Sequence, residues 1–359
     1  MLLIIGSMCA FLFSWLYYYK SQINLCFPIT IFYYYIIYSI VGIQDVINDI
    51  MNAKNNKTES ACKTLLPMPE KIAIVTGGSR GIGATITKML LQCHMEVIIA
   101  CRTPAAGEKL ISEIRESGIT SGKAKVYKLD NASLESVKEF ANQIKLNYNK
   151  IHILINNAGI MFTPYEETKD GFEQQWSVNY LSHFYLTALL LPLLKAGSHP
   201  QENSRVINVS SCAHRIGYIK FDDINFKKHF NTYAMYGQSK LAQVISTKHL
   251  QNLFKEKQLG IQVYAVHPGI VNTDLFQHSY IYKMKFLNKY IVKSPEQGAM
   301  AIIYAATNDK IKEHGGIYIN NCKETKVNPI AFDKSVQEKL FHLSLEQVQL
   351  KDFFQYVDI

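Results

Sequence analysis

The amino-acid sequence predicts an α/β protein: a doubly wound parallel sheet forming a single domain, preceded by an N-terminal membrane segment. From Lys71 onward, short apolar runs alternate with longer amphipathic ones. Several short runs are apolar at nearly every position, as strands are when helices cover both faces of their sheet. The first 43 residues carry a single charge, Lys20.

Taken in order, the strand candidates are 71–76, 95–100, 125–129, 151–155, 205–209, 261–266 and 316–319. Helix candidates fall between them at 82–94, 104–117, 133–148, 170–195, 234–257 and 295–307. Such alternation implies βαβ units with right-handed crossovers. The 359 residues suffice for one domain of this kind plus an appendage.

Residues 1–43 are expected to be a membrane-anchor region of one or two segments. Residues 1–19 and 24–43 are each uncharged, and about twenty apolar residues cross a bilayer as a helix. Trp15 and the clustered tyrosines suit the membrane interface. A cleavable signal would carry positive charge before the apolar run and small residues after it, whereas Tyr17, Tyr18 and Tyr19 close this one. Residues 44–69, polar and ending in Pro67 and Pro69, read as a linker. The catalytic domain spans 70–320, and 321–359 is a C-terminal extension of modest helical character.

The net charge of +9 comes from 38 Lys+Arg against 29 Asp+Glu. No run of five basic residues occurs, so no nucleic-acid partner is expected. The seven cysteines are scattered without a C-x-x-C pair. They read as small buried apolar residues, and no metal site is expected. His183, His214 and His267 also lack metal-ligand spacing, and the first two read as satisfied polar groups.

After the first strand comes Thr76-Gly77-Gly78-Ser79-Arg80-Gly81-Ile82-Gly83, then a helix. Gly77, Gly81 and Gly83 allow a tight turn and close approach to a pyrophosphate, which the helix N-terminus attracts. A strand-to-helix turn also needs glycine for structural reasons alone. The second strand ends at Arg102, with no carboxylate to bind a ribose 2′-hydroxyl. An arginine there accommodates a 2′-phosphate, with Arg80 as a second cation. This favours NADP(H), with use of NAD(H) left open; the alternative is two ordinary surface arginines.

Tyr236 and Lys240 lie four apart on a helical stretch and face the same way. Ser211 ends the fifth strand, Asn156-Asn157-Ala158-Gly159 ends the fourth, and Asn179 lies on the helix between them. Open α/β sheets place their ligands at these strand ends. A nearby ammonium lowers a phenol's pKa, so Tyr236 is expected to shift toward neutrality and act as acid and base.

This set, with His267-Pro268-Gly269, resembles the short-chain dehydrogenase/reductase superfamily over about residues 70–320, in the family's order. The 25-residue step from Ser211 to Tyr236, and Cys212-Ala213-His214, are similar to its retinol-dehydrogenase-like branch. Val271-Asn272-Thr273-Asp274-Leu275 and Lys323-Glu324-Thr325-Lys326 resemble one member of that branch in particular. The resemblance implies a Rossmann-type fold and hydride transfer to or from a nicotinamide. It implies that Ser211 holds the substrate oxygen, that Tyr236 moves the proton, and that Lys240 also binds the nicotinamide ribose. By the same resemblance Asn179 holds a relay water, and Asp130 contacts adenine. Asn157, Ala158, Gly159, Pro268, Gly269 and Thr273, with Ser79 and Ile82 of the loop, complete the cofactor site. One departure is Asn131, where the family usually has leucine.

The implied substrate is a lipophilic alcohol or aldehyde, first an isoprenoid alcohol of the polyprenol or dolichol type. A retinoid or steroid is the alternative, and a non-catalytic scaffold at a membrane or lipid droplet is a third reading. The implied location is the endoplasmic reticulum membrane or a lipid droplet, and the oligomeric state stays open. The loop 275–291 mixes apolar and aromatic residues with Lys283, Lys285 and Lys289, and reads equally as a membrane-side entrance or as the ordinary substrate lid with its apolar face inward.

Overall fold

The computed structural model describes residues 27–54, 65–273, 275 and 292–357. Its centre is an eight-stranded sheet in the order β3-β2-β1-β4-β5-β6-β7-β8. The strands are β1 (Ile72–Thr76), β2 (Glu96–Cys101), β3 (Lys123–Lys128), β4 (Ile153–Asn156), β5 (Ser204–Val209), β6 (Ile261–His267), β7 (Tyr318–Asn320) and β8 (Lys323–Glu324). The first seven run parallel, and β8 returns antiparallel to β7. β1, β4 and β5 are buried at nearly every position, which is why their sequences are apolar throughout rather than alternating.

The helices are α1 (Phe27–Lys54), α2 (Gly81–Gln92), α3 (Pro104–Glu116), α4 (Leu134–Asn147), α5 (Ser182–Gly197), α6 (Thr232–Glu256), α7 (Pro295–Thr307) and α8 (Lys334–Gln347). One core packs α2, α3 and α7 on a sheet face through Ile86, Leu90, Ile114 and Ile302. The other packs α4, α5 and α6 through Phe140, Leu189 and Val244. The chain steps from β1 to β2 on one side and to β4 on the other, so a crevice opens beyond the ends of β1 and β4.

Three expectations change. The linker expected from residue 44 is helical as far as Lys54, because α1 runs without a break from Phe27. Asp45 and Asp49, one turn apart, turn toward the domain and pair with it. The apolar stretch 24–43 therefore lies largely in a helix that buries Tyr33, Tyr34, Ile37 and Val41 in the second core. Among the described residues, the stretch long and apolar enough to cross a membrane is Gln174–Gly197, and 89% of its apolar window is buried as a core helix. Residues 1–26, and all of the loop 275–291 except Leu275, lie outside the described residues.

The C-terminal extension is not an appendage. β8 continues the sheet, and α8 packs on α6. Trp176 Nε1 donates to Gln347 at 3.0 Å, and the Tyr180 and Ser344 hydroxyls meet at 2.7 Å. Phe353 is fully buried beside Phe184 and Phe254. Cys93, Cys101 and Cys212 are buried and free, as scattered apolar cysteines should be, whereas Cys322 is disulfide-bonded.

Candidate active site

The crevice holds a cleft of about 490 Å³. Every residue singled out for catalysis or cofactor binding lines it except Asn179, which stands one layer behind. The glycine-rich loop 77–83 forms one end. Gly77 has φ +63°, and a Cβ on Gly83 would come within 2.2 Å of the Gly77 carbonyl. The turn therefore closes only with glycine at these positions. α2 has no acidic residue in its first turn, so nothing there repels an anion from its N-terminus. Thr273 lies against Gly81, its side chain 3.5 Å from where a Cβ would be. Arg80 and Arg102 are exposed at this end, and neither pairs with a carboxylate among the described residues. Asp130 turns in at the end of β3, its Oδ1 accepting from the Ala132 amide at 3.0 Å. Asn131, the departure from the family pattern, donates to the Ser182 hydroxyl at 2.9 Å. The polar side chain is buried but partnered, which is why it is tolerated there.

Thr76 ties β1 to β4. Its Oγ1 accepts from the amides of Asn157 and Ala158, both at 2.9 Å, and Asn157 Nδ2 donates to the Thr76 carbonyl at 2.8 Å. Thr76 Oγ1 also meets His183 Nε2 at 3.0 Å, and His183 Nδ1 meets the Asn179 carbonyl at 3.1 Å. The carbonyl can only accept, so Nδ1 carries the hydrogen and Nε2 receives the threonine hydroxyl. Burial pushes the His183 imidazole down to about 3 and keeps it neutral. His214 is equally buried and pushed down to about 3, with Nδ1 2.7 Å from the Ser211 carbonyl. His183 is thus a satisfied polar group, as expected, whereas the buried His214 Nε2 has no hydrogen-bond partner among the described residues.

Asn179 sits in a π-helical turn, Ser177–Leu181, just before α5. Its Oδ1 accepts from the Ile160 amide at 2.8 Å, and its Nδ2 donates to the Ile160 carbonyl and to Ser239, both at 3.0 Å. The carboxamide is thus spent on bracing the strand-end loop against α6. Its backbone carbonyl also accepts from Gln243 at 2.7 Å. π-turns are rare and concentrate at functional sites.

Asn231 caps α6, accepting from the amides of Tyr233 and Ala234, and so sets the register that aims Tyr236 and Lys240 into the cleft. Lys240 Nζ donates to the Val209 carbonyl at 2.9 Å and lies 5.7 Å from the centre of the Tyr236 ring. Burial pushes the ammonium down to about 7. It pushes the Tyr236 phenol up, with the Ser211 hydroxyl pulling the other way. The expected shift of Tyr236 toward neutrality is therefore reversed in the protein environment alone: a dry pocket penalises both charges, and desolvation is the largest influence on each.

Sequence reasoning missed one whole wall of the cleft. Tyr35, Tyr38 and Gly42 of α1 line it, together with Phe162. Asp45 accepts from His267 Nε2 at 2.7 Å, directly before Pro268-Gly269. Burial penalises both charges. The carboxylate nevertheless pushes His267 up to about 10, and His267 with Lys293 holds Asp45 below the usual carboxylate range. Asp45, Cys212 and His267 converge to within 4.8 Å, a set that spacing in sequence did not suggest. The one available signal was Asp45 and Asp49 at i, i+4 immediately after an apolar run.

The chain matches the short chain dehydrogenase family over residues 71–281. It is 37% identical to the human polyprenol dehydrogenase over 289 residues, 80% of this chain and 87% of that protein. It is also 37% identical to human retinol dehydrogenase 12 over 291 residues, 81% and 90% of the two chains. Among solved structures, a protein from Mycobacterium paratuberculosis superimposes with a TM-score of 0.66 at 29% identity, covering 81% of this chain and 97% of its own. The Pseudomonas aeruginosa RhlG/NADP complex shares the fold with a TM-score of 0.57 at 24% identity, covering 70% and 95%. The chain belongs to the short-chain dehydrogenase/reductase family, in its retinol-dehydrogenase-like branch, and is an oxidoreductase that uses a nicotinamide dinucleotide.

Proposed function

We propose that the protein interconverts a lipidic alcohol and its aldehyde with NADP(H), and that the preferred substrate is an isoprenoid alcohol of the polyprenol type. The observation that carries this reading is one cleft, with a glycine cradle and two arginines that pair with no carboxylate among the described residues at one end, and Ser211, Tyr236 and Lys240 beside an aromatic wall at the other. When bound, the nicotinamide exchanges a hydride with the carbinol carbon. Gly77, Gly81 and Gly83 would admit the pyrophosphate, and Arg80 and Arg102 would meet the 2′-phosphate. Asp130 would face the adenine, while Asn157, Ala158, Gly159, Pro268, Gly269 and Thr273 flank the rest of the groove.

Ser211 would hold the substrate oxygen by a hydrogen bond. Tyr236 would hold the proton that moves on or off that oxygen, giving it in reduction and taking it in oxidation. Because burial favours the protonated phenol, the protein environment alone favours the acid role. Lys240 supplies the donor beside the phenol, and Asn179 braces the loop that presents Gly159.

Membrane association is part of the reading. Residues 1–19 are uncharged, and Tyr35, Ile43, Ile50 and Met51 are exposed on α1. An apolar outer face on a helix that follows an apolar segment suits a lipid surface. The equal identity to retinol dehydrogenase 12 supports a retinoid as a second reading. The test is reduced-nicotinamide absorbance with the full chain, given long isoprenoid alcohols, retinol, a steroid alcohol and their carbonyl forms. Isoprenoid turnover with the highest kcat/KM supports the proposal. A retinoid preference moves the assignment to the second reading, and no turnover of any of them refutes it.

A further inference from the structure

α1 has no part in the chemistry described so far, yet it forms one side of the same cleft. Tyr38 reaches across to α6. Its hydroxyl donates to the Tyr233 carbonyl at 2.7 Å, three residues before Tyr236. Its ring meets Phe162 edge-on with centroids 5.3 Å apart, and Phe162 meets Tyr236 edge-on at 5.5 Å. Phe162 itself has φ +57°, a left-handed conformation that bulky residues rarely adopt. Its amide is fixed there by Gln175 Oε1 at 2.9 Å. Strain of this kind concentrates where a side chain must be aimed.

The same helix is fastened at the opposite side of the reaction centre. Asp45 pairs with His267 at 2.7 Å, and His267 leads into the Pro268-Gly269 turn. Asp49 pairs with Lys293 at 2.9 Å and accepts from Asn321 at 2.7 Å. A membrane anchor alone needs none of this: it needs neither buried ion pairs with the catalytic domain nor an aromatic contact at the catalytic tyrosine.

We propose that α1 is a working wall of the active site: the Tyr38 ring, backed by Phe162, is a specificity-determining surface that packs against the substrate's chain beyond its carbinol end, and the Asp45–His267 pair is the positioning contact that fixes this wall to the Pro268-Gly269 turn. This rests on the reading of the cleft as an alcohol and aldehyde site. A substrate chain leaving the cleft then runs along α1, and its length is sensed by that helix.

The experiment uses the full chain with Tyr38→Phe, Tyr38→Ala and Asp45→Asn. KM and kcat are measured for a long isoprenoid alcohol and for a short allylic alcohol, with the Kd for NADP alongside. Tyr38→Ala is expected to raise KM for the long alcohol about five- to tenfold, the size of one aromatic contact. Its kcat should move less than about twofold, a loss of uniform binding, with the Kd for NADP unchanged. Tyr38→Phe keeps the ring and restores the wild-type KM. Asp45→Asn raises KM for both alcohols without weakening NADP. A photoreactive isoprenoid alcohol should label a peptide within 33–44, and unlabelled alcohol should compete. Wild-type KM in Tyr38→Ala, equal loss in the Phe and Ala variants, or labelling that spares α1 would each overturn the proposal. If wild type turns over no alcohol, the functional reading fails, and the labelling still judges the wall.

Discussion

Replacing Tyr236 by phenylalanine removes one oxygen from the cleft and leaves the ring in place. That ring lies edge-on to Phe162 at 5.5 Å, and the contact survives. Ser211 loses one neighbour but still accepts from the Ala213 amide at 3.2 Å. The stability cost is therefore that of a single neutral hydrogen bond, about 1 kcal/mol. The kinetic cost is of another order, because phenylalanine has no group that could carry the proton assigned to the phenol. Loss of a general acid or base lowers kcat about 10²–10⁴-fold, roughly 3–5 kcal/mol on the barrier. NADP binding should persist, since the glycine loop lies at the end of β1 and makes no contact with the phenol. The assay pairs steady-state turnover with a fluorescence titration of the reduced cofactor. Turnover within about tenfold of wild type would refute the assignment of Tyr236 as the proton carrier, whatever the binding result.

Four further outcomes follow from the same geometry. Because burial raises the Tyr236 phenol, the form needed to accept a proton grows with pH; alcohol oxidation should rise through the alkaline range while aldehyde reduction does not, and pH-rate profiles in the two directions test this. Arg102→Asp should raise the Kd for NADP at least about tenfold and spare NAD, since a charged hydrogen bond is worth about 1.5–3 kcal/mol; equal losses in titrations of both cofactors would count against a 2′-phosphate role. Burial raises Glu173 from 4.5 to about 7, so the folded chain binds the extra proton, and this group's contribution to stability falls as pH rises between those values. Glu173→Gln should accordingly raise Tm above pH 7 by a gain of at most about 3 kcal/mol and converge with wild type below the unfolded value. Phe353→Ala should cost about 3–5 kcal/mol in chemical denaturation, the range for a buried aromatic, which a dispensable C-terminal tail would not show.

Much of this protein is legible in local pattern. A strand buried on both faces must be apolar at each position, so β1, β4 and β5 announce themselves. A tight strand-to-helix turn must have glycine where a Cβ would strike the backbone, so Gly77 and Gly83 announce the loop that closes one end of the cleft. A tyrosine and lysine one helical turn apart share a face whatever surrounds them. The spacing of Ser211, Tyr236 and Lys240 is therefore legible before any coordinates are known, and the order of the strands brings these residues to the lining of one cleft.

Other features are invisible in pattern because they depend on partners far away in the chain. Asp45 and His267 are 222 positions apart, and nothing near either residue marks the other. An apolar stretch such as 24–43 has the same composition whether it crosses a bilayer or lies on a protein surface; only the buried acids beyond it distinguish the two, and only once their partners are in place. Residues 334–354 alternate polar and apolar at helical spacing, which does not say that Phe353 fills a gap beside Phe184 and Phe254. The ionisation of Tyr236 and Lys240 is of the same kind. Residue type sets the starting values, but the direction of each shift follows from how much water the assembled fold excludes, and that is a property of packing rather than of any local run of residues.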